Sequence, residues 1–485
     1  MKATAPQDSN APELSAYSGY AGLPPLVGLM PMAEAAAVGL TVEDSVSRLK
    51  RLHWALKRLH AIFVARLTAM PIYELKMAFS LHSFYCAEHV SALAARVKEM
   101  RQPPYGLDVS PSAALDLFFD EILAAPAPEA LVLGLYDVAV PAVLRALDRF
   151  LAETHRLFDF PSYRRARIMQ MEMRDVAAYG AAAVSCVVGE EQRSALASWR
   201  AALDQALAAA GDLDGAAEPA GELPARRFSA QPPPHDFVPR RDARFLDPYN
   251  MAVNAEAFLF EPGIPAQPKT LMLYFKRLRE IDVPEMMASI LAETKDKPWD
   301  YYRDMTRQLW DEARHAMMGE VGFTALGLDW REVPLPIVWS LTLNTRLTPR
   351  ERHAVLYAIE QGLMPRPNGK EGEWRIACAS DSPLAALIQD YDWADEVLHA
   401  RIGRKWLVPE YSSQAEALAA GDRAWSRALG EWANWRAAGL TEHRNWWPDL
   451  YRAACRRWGV APDPALLAYQ TSYESTRADL KSIAG

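Results

Sequence analysis

Cysteine is scarce in this chain, with four residues among 485 and no Cys-x-x-Cys motif. This spacing argues against a zinc knuckle and against a disulfide framework. A basic excess is also missing, because the formal net charge is −8. A surface that follows the phosphates of a nucleic acid normally carries such an excess, so we expect no nucleic acid partner.

Long uninterrupted hydrophobic runs are missing as well. The apolar stretch over residues 23–40 is broken by Pro24, Pro25 and Pro31, which argues against a membrane span. The first residues show no charged segment followed by an apolar one, which is the pattern of a secretory signal. We therefore expect a cytoplasmic protein with no membrane partner.

The chain also lacks the alternating, β-branched segments that predict strands. Apolar residues recur instead at steps of three and four, which predicts an all-α fold. The predicted helices of the second half, which matter most for function, are 269–295, 298–325, 335–345, 349–363, 383–405, 412–437 and 447–458. Ten prolines stand between residues 212 and 268, where few apolar positions are periodic, and this segment is typical of a linker.

A chain of this length exceeds what one hydrophobic core usually serves. The proline-rich segment therefore divides it into two helical halves. The predicted parts are an N-terminal tail (1–40), an N-terminal helical domain (41–211), the linker (212–268), a four-helix bundle (269–405) and a tryptophan-rich C-terminal helical extension (406–485).

The two halves share a pattern that we interpret as an old duplication. Residues 70–89 run in step with residues 297–315, although few positions are identical. The first copy has lost the acidic-x-x-His spacing of the second. We interpret it as a bundle that kept its shape and lost its metal, and we do not expect His82, Glu88 and His89 to form a metal site.

Two copies of one motif carry the chemistry. Asp311-Glu-Ala-Arg-His315 recurs in form as Asp395-Glu-Val-Leu-His399. From 61 acidic residues and 10 histidines in 485 positions, chance predicts roughly 0.16 such patterns. Residues i and i+3 share a helix face, so each Glu and its His point the same way and can bind one transition metal ion.

A di-metal site in a four-helix bundle needs one further glutamate from each of two other helices. Glu280 stands 32 residues before Glu312, and Glu360 stands 36 residues before Glu396. Both separations suit antiparallel neighbours that each present a glutamate about three turns from their connection. The predicted metal ligands are therefore Glu280, Glu312, His315, Glu360, Glu396 and His399.

An alternative for the first ligand stays open. Asp282-Val-Pro-Glu285 has the form of a capping box that begins a helix. If the helix begins there, Glu280 falls outside it and Glu285 becomes the ligand.

The residue types indicate which metal to expect. Four carboxylates and two imidazoles suit iron or manganese and leave coordination positions open for oxygen. Asp311 and Asp395, which precede the two motifs, can each orient the histidine of the opposite motif. Among the neighbours, His353 and Tyr357 are interpreted as residues that line the bundle.

This constellation resembles the ferritin-like superfamily of carboxylate-bridged di-iron proteins, which includes rubrerythrin and the ribonucleotide reductase small subunit. The segments 279–285 and 298–302, followed by Asp311-Glu-Ala-Arg-His315, look most like the ferritin-like family DUF455. Members of that family begin the first ligand helix with His-x-Glu, whereas Leu278 stands two positions before Glu280 here. The resemblance implies a ferritin-like four-helix bundle that holds two Fe ions.

The expected function follows from that site. Our leading hypothesis is an oxidoreductase, namely a di-iron oxidase or oxygenase that activates O2 and acts on a small organic substrate. Two other classes stay open. One is a non-catalytic protein that handles iron or peroxide, and the other is a helical scaffold whose metal site is structural or vestigial.

Overall fold

The computed structural model describes residues 14–101, 106–233, 235–364 and 369–476. Regular structure in these ranges is helical, with no β-strand, and the predicted all-α class is confirmed. The helices of nine or more residues are α1 (Val42–Leu67), α2 (Tyr73–Glu99), α3 (Ala113–Leu123), α4 (Pro128–Glu153), α5 (Phe160–Val187), α6 (Glu190–Ala209), α7 (Ala266–Arg279), α8 (Asp282–Glu293), α9 (Trp299–Ala325), α10 (Val338–Arg346), α11 (Pro349–Leu363), α12 (Lys370–Ala379), α13 (Pro383–Trp406), α14 (Gln414–Leu429) and α15 (Trp447–Trp458).

The chain divides into two compact units. Of the described residues, the first unit contains 14–59, 85–101 and 106–233, and the second contains 60–84, 235–364 and 369–476. Residues 60–84, which the sequence analysis assigns to the N-terminal helical domain, therefore belong to the second unit. The change of unit at residue 233 lies within the segment interpreted as a linker.

The first unit has a core in which α4 takes part. Trp199 of α6 is buried and donates a hydrogen bond from Nε1 to Glu121 of α3 at 3.0 Å. Gly134 of α4 leaves room for that indole, because a Cβ there would lie 2.9 Å from its ring. Helix α4 is long and apolar enough to cross a membrane, but 78% of its most apolar window is buried inside the structure, as in many core helices.

In the second unit, α7 packs on α9, α9 on α13, and α13 on α11. Helix α8 contacts both α9 and α11, and α12 lies against α7 and α13. Two predicted helix starts are confirmed. Thr348 and Glu351 form a capping box at α11, and the Ser382 side chain accepts a hydrogen bond from the backbone N–H of Ala385 at α13.

The predicted single helix over 269–295 is wrong, because the chain forms α7 and α8 with a break at Glu280 and Ile281. Proline explains the break. Pro284 has no N–H to donate to the carbonyl of Glu280, four residues earlier, and its ring would press against that carbonyl in a continuous helix. The interruption therefore falls at a predicted metal ligand.

Two other predicted boundaries are corrected. Helix α12 lies where no helix is predicted, and Gly372 within it weakens the local helical signal. The predicted helix 412–437 ends instead at Leu429, next to Gly430, and a short helix, Trp432–Ala437, follows.

Two glycines allow the helices of the second unit to approach closely. A Cβ on Gly319 of α9 would lie 2.3 Å from the backbone nitrogen of Leu278 in α7. A Cβ on Gly403 of α13 would lie 2.3 Å from the ring of Tyr357 in α11. Each glycine stands four residues after a motif histidine, so close helix contact and the candidate ligands share the same stretch of helix.

Candidate metal centre

The six predicted ligands lie together inside the second unit. Their backbone positions differ in kind: Glu280 follows the last residue of α7, whereas the others lie within α9, α11 and α13. The Glu280 side chain is 15% exposed and the rest are almost fully buried. Four separate helical segments therefore deliver carboxylates and imidazoles to one interior position.

The cluster has two parts. In the first, which we call the Glu360 half-site, one ligand atom from each of four side chains lies within 4.8 Å of the others; these are Glu312, Glu360, Glu396 and His399. The distances from His399 Nδ1 are 3.1 Å to Glu312, 3.6 Å to Glu396 and 3.8 Å to Glu360. Four side chains thus converge on a single small volume.

The second part, which we call the Glu280 half-site, contains Glu280, Glu312 and His315. From His315 Nδ1, the carboxylate oxygens of Glu280 and Glu312 lie 3.4 and 3.7 Å away. Glu396 and Asp392 also reach this side, at 4.0 and 3.5 Å from the same nitrogen, and with His315 they form a further group that could hold an ion. Glu312 and Glu396 therefore face both half-sites.

The donor atoms of the cluster have the spacing that a metal ion requires. Metal–ligand bonds of about 2.0–2.2 Å place neighbouring ligand atoms roughly 3–3.5 Å apart. Among the described residues, several buried atoms that could bind a metal ion make no hydrogen bond. They are Nδ1 of His315 and His399, Oε2 of Glu280 and Glu396, and Oε1 of Glu312. Unsatisfied buried polar atoms are costly, and here they converge, so these residues fit a pair of metal ions.

The outer nitrogens of both histidines face aspartates from the opposite motif. His315 Nε2 lies 3.2 Å from Asp395, and His399 Nε2 lies 3.4 Å from Asp311. This crossed arrangement is the one that the sequence analysis expects. A carboxylate at Nε2 holds each ring with Nδ1 directed at the cluster, which is how proteins commonly orient a metal-binding imidazole.

The structure places the two candidates for the first ligand differently. A helix does begin at Asp282, although without the expected capping box, and Glu280 lies in the cluster whereas Glu285 does not. Glu285 is instead fully buried in ion pairs with Lys76 and Arg241. A helix start at Asp282 therefore does not bring Glu285 into the cluster, and Glu280, at the break between the helices, lies 3.4 Å from His315.

Two buried cations lie beside the Glu280 half-site, and the sequence pattern did not predict them. Arg277 of α7 contacts Glu280 at 2.9 Å and also pairs with Asp392 of α13. Lys370, at the start of α12, lies 2.9 Å from both Asp392 and Glu396. Both cations and Asp392 are almost fully buried. Lys370 could have been placed here from the sequence only through a helical pattern over α12, and that pattern is weak.

The Glu360 half-site has a neutral neighbour instead. Gln308 of α9 donates a hydrogen bond from Nε2 to Glu360 at 3.1 Å. Gln308 stands four residues before Glu312, as Asp392 stands four residues before Glu396. The same helical position therefore carries an amide in one motif and a carboxylate in the other.

The two sides differ in protonation as well. Burial raises the pKa of Glu360 well above its usual value, and the charges of Glu396 and Glu312 add to the effect. Burial also disfavours an ionised Glu280, but Arg277 and Lys370 outweigh it and hold the pKa of Glu280 at about 2. Without a metal ion, part of the negative charge is therefore relieved by a proton at Glu360 and by side-chain cations at Glu280, and, against the effect of burial, the carboxylates around both motif histidines raise the pKa of His315 and of His399.

A cavity of about 420 Å³ opens onto the cluster and reaches all four glutamates. The rest of its wall is mostly apolar, with Val283, Met286, Leu343, Leu356, Ile359, Leu363, Trp339 and Trp425. A cavity of this size accommodates a small organic molecule.

His353 and Tyr357, which the sequence suggested as residues that line the bundle, pack between helices. His353 is buried and its ring lies 6.1 Å from that of Tyr301, outside the groups of side chains that could hold a metal ion. Burial lowers the pKa of His353 to about 3. Tyr357 packs against Gly403. In the first unit, His89 pairs with Glu172 at 2.9 Å, and all the described groups of three or more candidate ligands belong to the second unit.

Comparison with known proteins adds no assignment. No family model, no curated protein and no solved structure matches the chain.

Proposed function

We propose that this protein is a ferritin-like di-metal protein that binds two iron ions and activates O2 for the oxidation of a small organic substrate. The observation that carries the proposal is the convergence of Glu-x-x-His motifs from α9 and α13, with both Nδ1 atoms unsatisfied and facing shared glutamates. The order of the ligands along the chain is the order found in four-helix di-metal proteins.

The candidate ligands fall into shared and separate sets for the two ions. Glu312 and Glu396 are positioned to contact both ions, while Glu360 with His399 and Glu280 with His315 would each serve one. Asp311 and Asp395 keep the imidazoles in the orientation that presents Nδ1. Manganese fits the same donor set, and the hard carboxylate oxygens disfavour copper(I).

A bound pair of ferrous ions would supply the electrons for the reduction of O2. The chain contributes the setting. Its four glutamates would hold the ions together with the two histidines, and the burial of the cluster excludes bulk water. The adjacent cavity would place a substrate next to the four glutamates. Fold alone does not determine such a function, so the cavity and the ligand set together support it.

A second candidate is a structural or vestigial site in a helical scaffold. One observation favours it, namely that Arg277 and Lys370 already neutralise part of the buried negative charge. The two candidates differ in what the ligands do. In an oxidase the centre is needed for turnover, whereas a structural centre is needed mainly for stability.

The experiment compares the full-length protein, purified from iron-replete cells, with its His399→Ala variant. We expect about two metal ions per chain and O2 consumption after reduction. In the variant, O2 consumption should disappear while the thermal midpoint changes little. A large fall in the midpoint, with no O2 consumption in either protein, would support a structural centre. Metal-free, stably folded protein would contradict the proposed oxidase and support a vestigial site.

A further inference from the structure

The cavity next to the cluster carries information about its ligand. Apart from the four candidate metal ligands, four charged residues line it, namely Glu256, Lys276, Arg279 and Asp282. Each of them is matched by an opposite charge. Arg279 lies 2.7 Å from Glu256, Asp282 lies 3.0 Å from Arg241, and Lys276 pairs with Glu373. A charged ligand would therefore find no unpaired opposite charge among these four residues.

Apart from oxygens of the candidate metal ligands and of Asp282, which is paired with Arg241, one polar atom of the described wall has no hydrogen-bond partner. Trp425 of α14 lines the cavity beside Trp339, and the two ring centroids are 4.7 Å apart. The indole Nε1 of Trp425 is buried and finds no hydrogen-bond acceptor among the described residues. A buried N–H normally has an acceptor, so a ligand that supplied one would remove this cost.

We propose that the cavity binds a neutral, largely apolar organic molecule with a hydrogen-bond acceptor, and that Trp425 donates to this acceptor. The inference deepens the proposed function and rests on it where it calls this molecule the substrate. The apolar walls supply most of the binding energy through burial, and the single donor fixes which end of the molecule faces α14.

The test uses four naphthalene probes with the full-length protein. They are naphthalene itself, neutral 2-acetonaphthone with a carbonyl acceptor, anionic 2-naphthoate and cationic 2-naphthylmethylammonium. Calorimetric titration should show that 2-acetonaphthone binds most tightly, by about tenfold over either ion. If either ion binds most tightly, or if no probe binds, the proposed ligand class is wrong.

Substitutions then locate the binding site. Trp425→Phe keeps an aromatic ring without the N–H, so affinity for 2-acetonaphthone should fall several-fold while affinity for naphthalene is unchanged. Trp435→Phe is the matched control, because Trp435 packs on Tyr249 and does not line the cavity. Equal losses for both probes in Trp425→Phe, or the same loss in Trp435→Phe, would overturn the role of Trp425.

Metal content measured on the same samples keeps the two proposals apart. Probe binding by metal-free protein would contradict the proposed function and leave the ligand class standing. Metal-loaded protein that binds none of the probes would contradict the ligand class and leave the proposed function standing.

A different observation carries a second inference, which rests on the proposed metal centre. Beside the Glu280 half-site, three carboxylates face three buried cations: the partly exposed Glu280 and the buried Glu373 and Asp392 against Arg277, Lys276 and Lys370. On the other side, Glu360 accepts a hydrogen bond from the neutral amide of Gln308. An incoming cation is attracted by uncompensated charge and repelled by a fixed cation nearby.

We infer that the two half-sites bind metal with different affinity, the Glu360 half-site first and the Glu280 half-site second. Lys370 lies on Oε1 of Glu396, the oxygen that faces His315, so an ion at the second half-site competes with the ammonium for that oxygen. Lys370 and Arg277 are thus positioning residues that hold the second half-site partly closed.

Titration of metal-stripped full-length protein with Mn²⁺, followed by electron paramagnetic resonance, tests this order. We expect one tight equivalent and a second that is roughly tenfold weaker. Glu360→Ala should remove the tight equivalent and Glu280→Ala the weak one. Lys370→Met should strengthen the weak equivalent, whereas Lys269→Met should not, since the buried Lys269 donates to the carbonyl of Glu261.

The outcomes separate the inference from the centre itself. Two equivalents of equal affinity, or a weak equivalent that Lys370→Met leaves unchanged, would overturn the inference while the centre stands. The absence of any Mn²⁺ binding by correctly folded protein would contradict the centre.

Discussion

The two half-sites of the cluster are built from nearly the same sequence and placed in different surroundings. Helices α9 and α13 both carry Asp-Glu-x-x-His-Ala-x-x-Gly, beginning at Asp311 and at Asp395. Both histidines present Nδ1 to the cluster and Nε2 to an aspartate of the other motif. In ligand type and orientation the two halves are therefore alike.

They differ in the residues that touch the outer glutamates. Arg277 contacts Glu280, and Lys370 lies close by on the shared Glu396, whereas the amide of Gln308 contacts Glu360. This difference indicates that a ligand motif specifies which atoms can bind a metal, while the neighbouring charges determine how strongly these atoms bind it.

The largest effect is expected at the glutamates that the half-sites share. Glu312→Ala removes a ligand from both, so we expect the loss of both metal ions, compared with the loss of one in Glu280→Ala or in Glu360→Ala. Elemental analysis of the three purified variants measures this directly. Equal metal content in all three would mean that Glu312 is not shared.

A smaller effect is expected from the aspartates behind the histidines. Asp311→Asn should weaken metal binding at the Glu360 half-site, and Asp395→Asn at the Glu280 half-site, by about 10- to 100-fold each. The reason is that each aspartate orients one imidazole. Dissociation constants for Mn²⁺ provide the measurement, and a loss on the same half-site in both variants would refute the crossed arrangement.

The glycines should distinguish the halves by stability. Gly319→Ala meets backbone atoms of α7, which cannot move aside without shifting Glu280, whereas Gly403→Ala meets the ring of Tyr357. We expect overpacking to cost about 1–3 kcal/mol, with Gly319→Ala at the upper end. Urea denaturation compares the two. A greater loss in Gly403→Ala would show that the α11 side is the more tightly constrained.

The smallest effect concerns a histidine beside the cluster. Burial lowers the pKa of His353 to about 3, so below pH 6.5 the unfolded chain takes up a proton that the folded chain does not. This histidine should therefore reduce the free energy of unfolding by about 1–2 kcal/mol as the pH falls from 6.5 to 5. His353→Phe should remove that part of the pH dependence in urea denaturation. An unchanged pH slope would show that His353 is solvated.

Much of the cluster could be predicted from the sequence because it depends on local spacing. A Glu and a His three residues apart on a helix face one way whatever surrounds them, and the separations of Glu280 and Glu360 from their partner motifs indicate antiparallel neighbours. The all-α class and the starts of α11 and α13 were predictable for the same reason, since periodicity and capping residues are local.

The rest depends on tertiary structure. Pro284 signalled a break in the first ligand helix, but only the folded chain shows that the break directs Glu280 inward. Lys370 and Arg277 could not be predicted, since a buried cation next to candidate metal ligands runs against the pattern that defines the ligands. Their positions follow from the packing of α12 on α13 and of α7 on α9.

The most direct test of the account is the crystal structure of iron-loaded full-length protein, with anomalous scattering measured at the iron edge. We expect two peaks roughly 3.5–4 Å apart, one beside Glu360 and His399, the other beside Glu280 and His315, with Glu312 and Glu396 contacting both. A well-ordered cluster without any peak, or peaks only outside these six side chains, would contradict the account.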